Sequence, residues 1–396
     1  MKRVLITSAA ANMIWQFNKR NIEILLNQPD VEVHVGTNFI SPGTIDTAEV
    51  TLMKKWMAER GVQIHQIDFQ RGVGDVMSNI KATAQIKKIL KEERIDLIHT
   101  QSPIGAALTR VASIGLNVKL IYTAHGFHFF KGAPKKYWVV FYPLEYILSK
   151  LTDVLITINE EDFNNSRNFL AKKKVLLPGV GISVKDALHN RDSQLEIRNN
   201  SRLKLANEFD IPKEVFLILN VGELSNRKNQ EYLLEAMSRI DNENIHVALA
   251  GIGPNKKFLE KKAESLKMAK RVHFLGYRND IRELHYAADL MVFPSKQEGL
   301  ALGGLESVVD GLYLLGSDTR GIRDYILSEN IGQTFSLNDN AQELSEQIQR
   351  FVDNPHRVPT GDIQRLLMHF DRAEVDTQMA DIYQTVLSKS DFDSSK

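Results

Sequence analysis

The 396-residue chain has no cysteine, which excludes disulfides and thiolate chemistry and fits a reducing cytoplasm. It has almost no net charge either. Lys plus Arg number 50 against 49 Asp plus Glu, so no global field attracts nucleic acid, and any charge effect must be local. No stretch approaches the roughly 18 uninterrupted apolar residues of a membrane span. The opening MKRVLITSAAA has an apolar run of only Val4 to Ile6 before Thr7, Ser8 and Asn12 interrupt it, too short for a signal peptide, and it reads as a first strand. There is no short-period repeat and no low-complexity tract. No clustered His and Asp pattern suggests a metal, and metal independence is the expectation. No Gly-x-Ser-x-Gly elbow, no phosphate loop ending in Gly-Lys-Ser and no zinc spacing occur, which removes sequence support for hydrolases and kinases.

What is present is an ordinary globular composition, 43% apolar and 25% charged, in a chain too long for one core. Short runs rich in Val, Ile and Leu alternate with helical patterns, the signature of parallel sheets covered by helices. Strands are expected at 4–8, 31–37, 97–100, 119–123 and 154–158. After a polar break at 181–212, a second series is expected at 216–221, 246–251, 272–275, 290–293 and 312–316. The fold class is therefore α/β with two doubly wound, Rossmann-like domains, 1–187 and 188–370, and a terminal segment 371–396 ending in a flexible tail. Ligands of such sheets sit beyond the carboxyl ends of the strands, and the chemistry is expected in the loops there.

The strongest such loop is FPSKQEGLALGGLESVVDG, residues 293–311. Its glycines leave the backbone of Gly299, Leu300, Ala301 and Leu302 bare enough for N–H groups and a helix start to approach an anion. The loop can hold a diphosphate while one of Glu298 and Glu306 meets sugar hydroxyls and the other a ribose diol. The competing reading is a surface loop with two solvated carboxylates. Upstream, NVGELSNRKNQEYLLEAM sets Arg227 and Lys228 beyond a strand and Gly222, where cations can neutralise a departing pyrophosphate, unless they are only a solvated pair at a helix end. LAGIGP, residues 249–254, lacks the third glycine of a dinucleotide fingerprint.

Glu298-Gly299, six further residues and then Glu306 reproduce the fingerprint of the family 4 retaining glycosyltransferases of the GT-B fold, which the chain resembles over nearly its whole length and most closely from Gly222 to Asp324. The resemblance implies that Glu298 touches the donor hexose, that Glu306 binds the ribose, that Lys228 is the phosphate lysine, and that Tyr277 and Arg278 lie where the base is contacted. It implies no cofactor beyond a nucleotide-sugar donor, UDP-linked, and a saccharide acceptor, lipid-linked, in capsule or exopolysaccharide synthesis. It also implies a last helix, 373–389, that crosses back to the first domain. Glu223 departs from the family, which usually has arginine there, and Arg227 could supply the missing charge. Two rivals stay open: a non-hydrolysing UDP-sugar 2-epimerase, a class without the Glu-to-Glu spacing, and a catalytically silent partner subunit.

In the first half, His99 and His125 each end an expected strand. His125, followed by Gly126, matches the family's histidine near the transferred sugar and could orient a hydroxyl or share a proton with the leaving phosphate. For His99 a structural role is favoured. The loop SAAANMIW has Ala9, Ala10 and Ala11 where the family commonly has paired glycines, and only Ser8 and Asn12 offer side-chain hydrogen bonds to an acceptor. KGAPKKYWVVFYPLEYILSK, residues 131–150, joins three early lysines to Tyr137, Trp138, Phe141 and Tyr142. It reads equally as a peripheral membrane face or as a core helix with one basic end.

Overall fold

A computed structural model describes residues 1–70, 72–183 and 194–388. The chain divides into two compact units, Met1–Gly181 with Arg372–Lys396, and Ile182–Asp371. The expected boundary at 187/188 and the tail from 389 lie outside the described residues.

The first unit holds strands β1 (Lys2–Thr7), β2 (Val31–Thr37), β3 (Gln63–Gln66), β4 (Leu97–Gln101), β5 (Lys119–Ala124), β6 (Val154–Thr157) and β7 (Lys173–Leu176), in the spatial order β3-β2-β1-β4-β5-β6-β7. All pair in parallel. Successive residues of an interior strand feed opposite cores, which is why both must be apolar. Val4 and Ile6 of β1 pack into one cluster, Leu5 into the other. The last helix, Arg372–Ser388, belongs to this unit. Its Met379, Ile382, Tyr383 and Val386 join Val4, Ile6, Leu97 and Ile121 in one core. His99 is fully buried and holds that helix from inside: Nδ1 is 2.6 Å from the Tyr383 hydroxyl and Nε2 is 2.8 Å from Thr123 Oγ1.

The second unit repeats the plan with β8 (Phe216–Val221), β9 (Ile245–Ala250), β10 (Val272–Gly276), β11 (Leu290–Phe293), β12 (Tyr313–Ser317) and β13 (Gly332–Phe335), in the order β10-β9-β8-β11-β12-β13. In each unit the strand order reverses once, at β1/β4 and at β8/β11, and such a reversal opens a crevice at the strand ends. Three strands, β3, β7 and β13, were not expected. All lie at sheet edges, where one side of the ladder is unpaired, and their sequences QIHQ, KKVL and GQTF carry no apolar run.

The polar stretch expected to be only a break between cores is corrected by the structure. From 194 it forms a helix, Gln194–Phe209, of the second unit. Its charges have structural work. Arg202 is buried, donates from Nε to Ala287 O, and meets Asp289 Oδ2 at 2.5 Å, while Arg198 meets Asp289 Oδ1 at 2.6 Å and Ala288 O at 3.0 Å. With Arg357, which donates to Ala288 O at 2.8 Å, they satisfy carbonyls at the end of helix Ile281–Ala287.

Candidate active site

At the β8/β11 reversal two loops meet. One follows β8 and carries Gly222, Arg227 and Lys228, and the other follows β11 and carries Glu298. Lys228 Nζ is 2.7 Å from Glu298 Oε1, and Arg227 Nη1 is 3.3 Å from Oε2. The lysine ammonium also stands 4.6 Å over the Phe293 ring. Arg227 donates to Gln297 O, and its own carbonyl accepts the Lys296 N–H, so the loops are tied through backbone as well. Lys228 and Glu298 are largely buried, whereas Arg227 is exposed. Burial pushes the Lys228 pKa down while Glu298 pulls it up. One carboxylate thus meets two cations, leaving a local positive excess that suits a phosphate; exposed Glu223 at the same turn offsets part of it.

The pair depends on close backbone approaches. A Cβ on Gly251, which also has φ of +157°, would come within 1.9 Å of Gly222 O, so the LAGIGP turn is the support of the Lys228 turn. Gly321 supports the other loop in the same way: a Cβ there would lie 2.2 Å from Gly299 O. Beside it, buried Arg320 donates from Nε to Glu298 O at 2.9 Å, the Tyr325 hydroxyl donates to Ala301 O at 3.2 Å, and Ser317 Oγ donates to Ser295 O at 2.6 Å. The segment after β12 therefore clamps the Glu298 loop at several points. Sequence reasoning missed Arg320; its one signal was an Arg-Gly pair just past a strand end.

Within the clamped loop, Leu300 is buried and Ala301 takes a left-handed φ of +56° to start helix Leu302–Val309. The N–H groups of a first helical turn have no partners inside the helix, and here they belong to Leu302 and its neighbours. Glu306 sits on this helix, exposed. Tyr277 and Arg278 lie past the end of edge strand β10. Tyr277 is exposed, but the Arg278 guanidinium is held by Asp280 Oδ2 at 2.5 Å and Glu208 Oε2 at 2.8 Å, so it is committed to acidic partners.

In the first unit His125 follows β5 beside a cavity of about 40 Å³ lined also by Phe17, Arg20, Gln101, Thr123 and Asp376. A chain of amides sets its tautomer. Asn18 donates from Nδ2 to Met13 O at 3.1 Å, which turns its Oδ1 toward Gln101 Nε2, which in turn aims Gln101 Oε1 at His125 Nε2. His125 must donate from Nε2, leaving Nδ1 as an acceptor. Desolvation pulls its pKa down to about 4, so the ring is neutral near pH 7. A neutral acceptor can orient a hydroxyl. Gln101 was not singled out from the sequence, although it stands two residues from His99 on the same strand face.

Helix Lys135–Ser149 is packed through Tyr137, Phe141, Tyr142, Glu145 and Leu148. Of the two readings left open for this stretch, a membrane face or a core helix, Phe141 and Tyr142 follow the second: partly buried, they pack against the core, with Phe141 stacked 4.3 Å from His128 and Tyr142 5.2 Å from Phe129.

The profile of the family Glycosyl transferases group 1 matches residues 201–362, and that of Glycosyl transferase 4-like matches 48–159. EpsD of Bacillus subtilis (strain 168), designated a glycosyltransferase, is 28% identical over 358 residues, covering 84% of this chain and 92% of that protein. The UDP-Gal:α-D-GlcNAc-diphosphoundecaprenol α-1,3-galactosyltransferase of Escherichia coli is 28% identical over 270 residues, 67% of this chain and 68% of that one. In fold, the chain superposes on Anabaena HepE, solved with UDP and glucose, with a TM-score of 0.72 at 15% identity, covering 97% of this chain and all of that one. Sucrose-phosphate synthase from Thermosynechococcus elongatus gives 0.74 at 17% identity over 98% and 100% of the two chains. Two parallel sheets, a cation–carboxylate cluster at a strand-order reversal and these relatives lead to one assignment: the chain belongs to the family 4, group 1 glycosyltransferases of the GT-B fold.

Proposed function

We propose that this glycosyltransferase of polysaccharide synthesis moves a hexose or N-acetylhexosamine from a UDP-sugar to a lipid-linked saccharide, with retention and without a metal ion, at the cytoplasmic face of the membrane. The observation that carries the reading is the Arg227–Lys228–Glu298 cluster, in which two cations share one carboxylate at the strand ends. As the donor's glycosidic bond breaks, negative charge grows on the diphosphate, and the preset cations, Lys228 largely buried and Arg227 at the surface, stabilise it. With no carboxylate assigned as nucleophile, the acceptor hydroxyl attacks the face from which the diphosphate leaves, and the departing phosphate takes its proton. Glu298 faces the hexose, Glu306 the ribose diol, and Tyr277 the base, while His125 Nδ1 accepts a hydrogen bond from a sugar hydroxyl. The UDP bound in HepE supports the donor class, and the diphosphoundecaprenol in the name of the E. coli relative supports the acceptor class.

Incubation with a panel of UDP-sugars, read for free UDP with and without a saccharide acceptor, tests this. Acceptor-dependent UDP release is expected. Isomerisation of the sugar nucleotide would identify the 2-epimerase instead, and binding without turnover a silent subunit. Tighter calorimetric binding of GDP than of UDP would remove the uridine assignment alone.

A further inference from the structure

The cavity beside His125 has a lining that narrows its occupant. It lies in the first unit, at the carboxyl ends of β4, β5, β6 and β7, against the helices Lys19–Leu26 and Arg372–Ser388. Its two charged side chains, Arg20 and Asp376, are paired with each other: Arg20 donates from Nε to Asp376 Oδ1 at 3.0 Å and from Nη2 to Oδ2. With His125 neutral near pH 7, the lining carries no net charge, which disfavours a phosphate or a carboxylate. Ile156, Ile158, Leu177 and Met379 supply apolar surface. Most of the polar lining is committed. Gln101 uses both ends of its amide, on His125 and on Asn18, and Thr123 Oγ1 meets His99 at 2.8 Å. Besides His125 Nδ1, two groups are left among the described residues. Asn18 Oδ1 takes Asn21 Nδ2 at 3.0 Å, which leaves Asn21 Oδ1 as an acceptor, and the ion pair leaves Arg20 Nη1 as a donor.

We propose that this cavity receives the 2-acetamido group of an N-acetylhexosamine. Asn21 Oδ1 accepts its amide N–H, Arg20 Nη1 donates to its carbonyl oxygen, and its methyl group meets the apolar side chains. The complement selects this group: an amide presents one donor and one acceptor, the cavity presents one acceptor and one donor, and the methyl needs an apolar surface that a hydroxyl does not use. Size agrees. A volume of about 40 Å³ holds about three or four water-sized groups, which matches the heavy atoms of an acetamido group. A hydroxyl would leave most of it empty and the apolar lining unmatched. The inference rests on the transferase reading above and deepens it by naming the sugar class. The same group can arrive on the donor or on the acceptor, and the test has an arm for each.

Ligand-observed NMR titrations of the full chain compare UDP-N-acetylglucosamine with UDP-glucose and UDP-N-acetylgalactosamine with UDP-galactose for the donor source. The p-nitrophenyl glycosides of the same sugars serve for the acceptor source. In one arm the acetamido sugar is expected to bind about tenfold or more tighter than its hydroxyl partner. Asn21→Leu, close in size but without the acceptor, should bring that ratio to within about twofold of unity. Ile158→Ala, which strips apolar surface from the cavity, should lower it about fivefold. A ratio does not depend on the fraction of protein that is folded, so a destabilised variant still reports. Hydroxyl sugars that bind as tightly as acetamido sugars in both arms, no binding in either, or a preference that Asn21→Leu leaves intact would overturn the inference. UDP release, measured separately, reports on the transferase reading by itself. Acetamido preference without release would remove that reading and keep the cavity's assignment, and release without preference the reverse.

Discussion

Replacing Lys228 separates the structural and catalytic work of the central pair. At 2.7 Å and an effective dielectric near 20, its attraction to Glu298 is about 6 kcal/mol before desolvation is charged against it. The net value is smaller, since both groups are largely withdrawn from water, and truncating one member of such a pair costs roughly 3 to 5 kcal/mol because the other is stranded. Arg227 at 3.3 Å softens this, being exposed and able to follow the carboxylate. Lys228→Met is therefore expected to lose about 3 kcal/mol of folding stability by urea denaturation, and UDP affinity should fall by about 1.5 to 3 kcal/mol, tenfold or more, in calorimetry. Adding Glu298→Gln should restore about 2 kcal/mol of the stability, because the stranded charge is gone, without restoring UDP affinity. Stability within about 1 kcal/mol of wild type and UDP affinity within about threefold in Lys228→Met would refute the reasoning.

Other outcomes follow from neighbouring geometry. Glu298→Gln frees both cations, so UDP affinity should hold or rise while turnover drops, and a parallel loss of both would contradict this assignment. Glu306→Ala should weaken UDP by about 1.5 to 3 kcal/mol through loss of a charge-assisted contact to the ribose, measured by calorimetry. Arg320→Ala should lower turnover by loosening the Glu298 loop while the β8 turn persists, and an unchanged kcat would show that the clamp is redundant. Six histidines, His34, His65, His99, His125, His246 and His273, have pKa values depressed chiefly by burial, His99 to about 3 and His273 to about 4. Below about pH 6.5 the unfolded chain takes up protons that the folded chain refuses, so stability is full above that pH and is lost as pH falls toward 4. For fully buried His99 alone the loss between pH 7 and 5 is about 2 kcal/mol, and a flat urea midpoint across that range would contradict the burial argument.

The amino-acid sequence by itself determined the fold class and the address of the chemistry. Interior strands such as β1, β8 and β11 are buried on both faces, so each must be a continuous apolar run and each can be read directly. Their loops hold the reactive side chains because a doubly wound sheet opens at its carboxyl ends. The edge strands β3, β7 and β13 carry no such signal, since half of each faces solvent and its pairing depends on a neighbour that local sequence does not specify. Tertiary structure decided what meets what. The contact of Lys228 with Glu298 spans 70 residues, Arg320 reaches the Glu298 carbonyl over 22, and the tautomer of His125 descends from Asn18 through Gln101. It also decided how helix Lys135–Ser149 is rolled. Composition showed basic and aromatic residues together, but only the buried Arg110–Glu145 pair turns Phe141 and Tyr142 inward and leaves Val139, Val140 and Ile147 outside. A buried charge can be satisfied only where its partner sits, and that partner lies on another helix, 35 residues earlier in the chain.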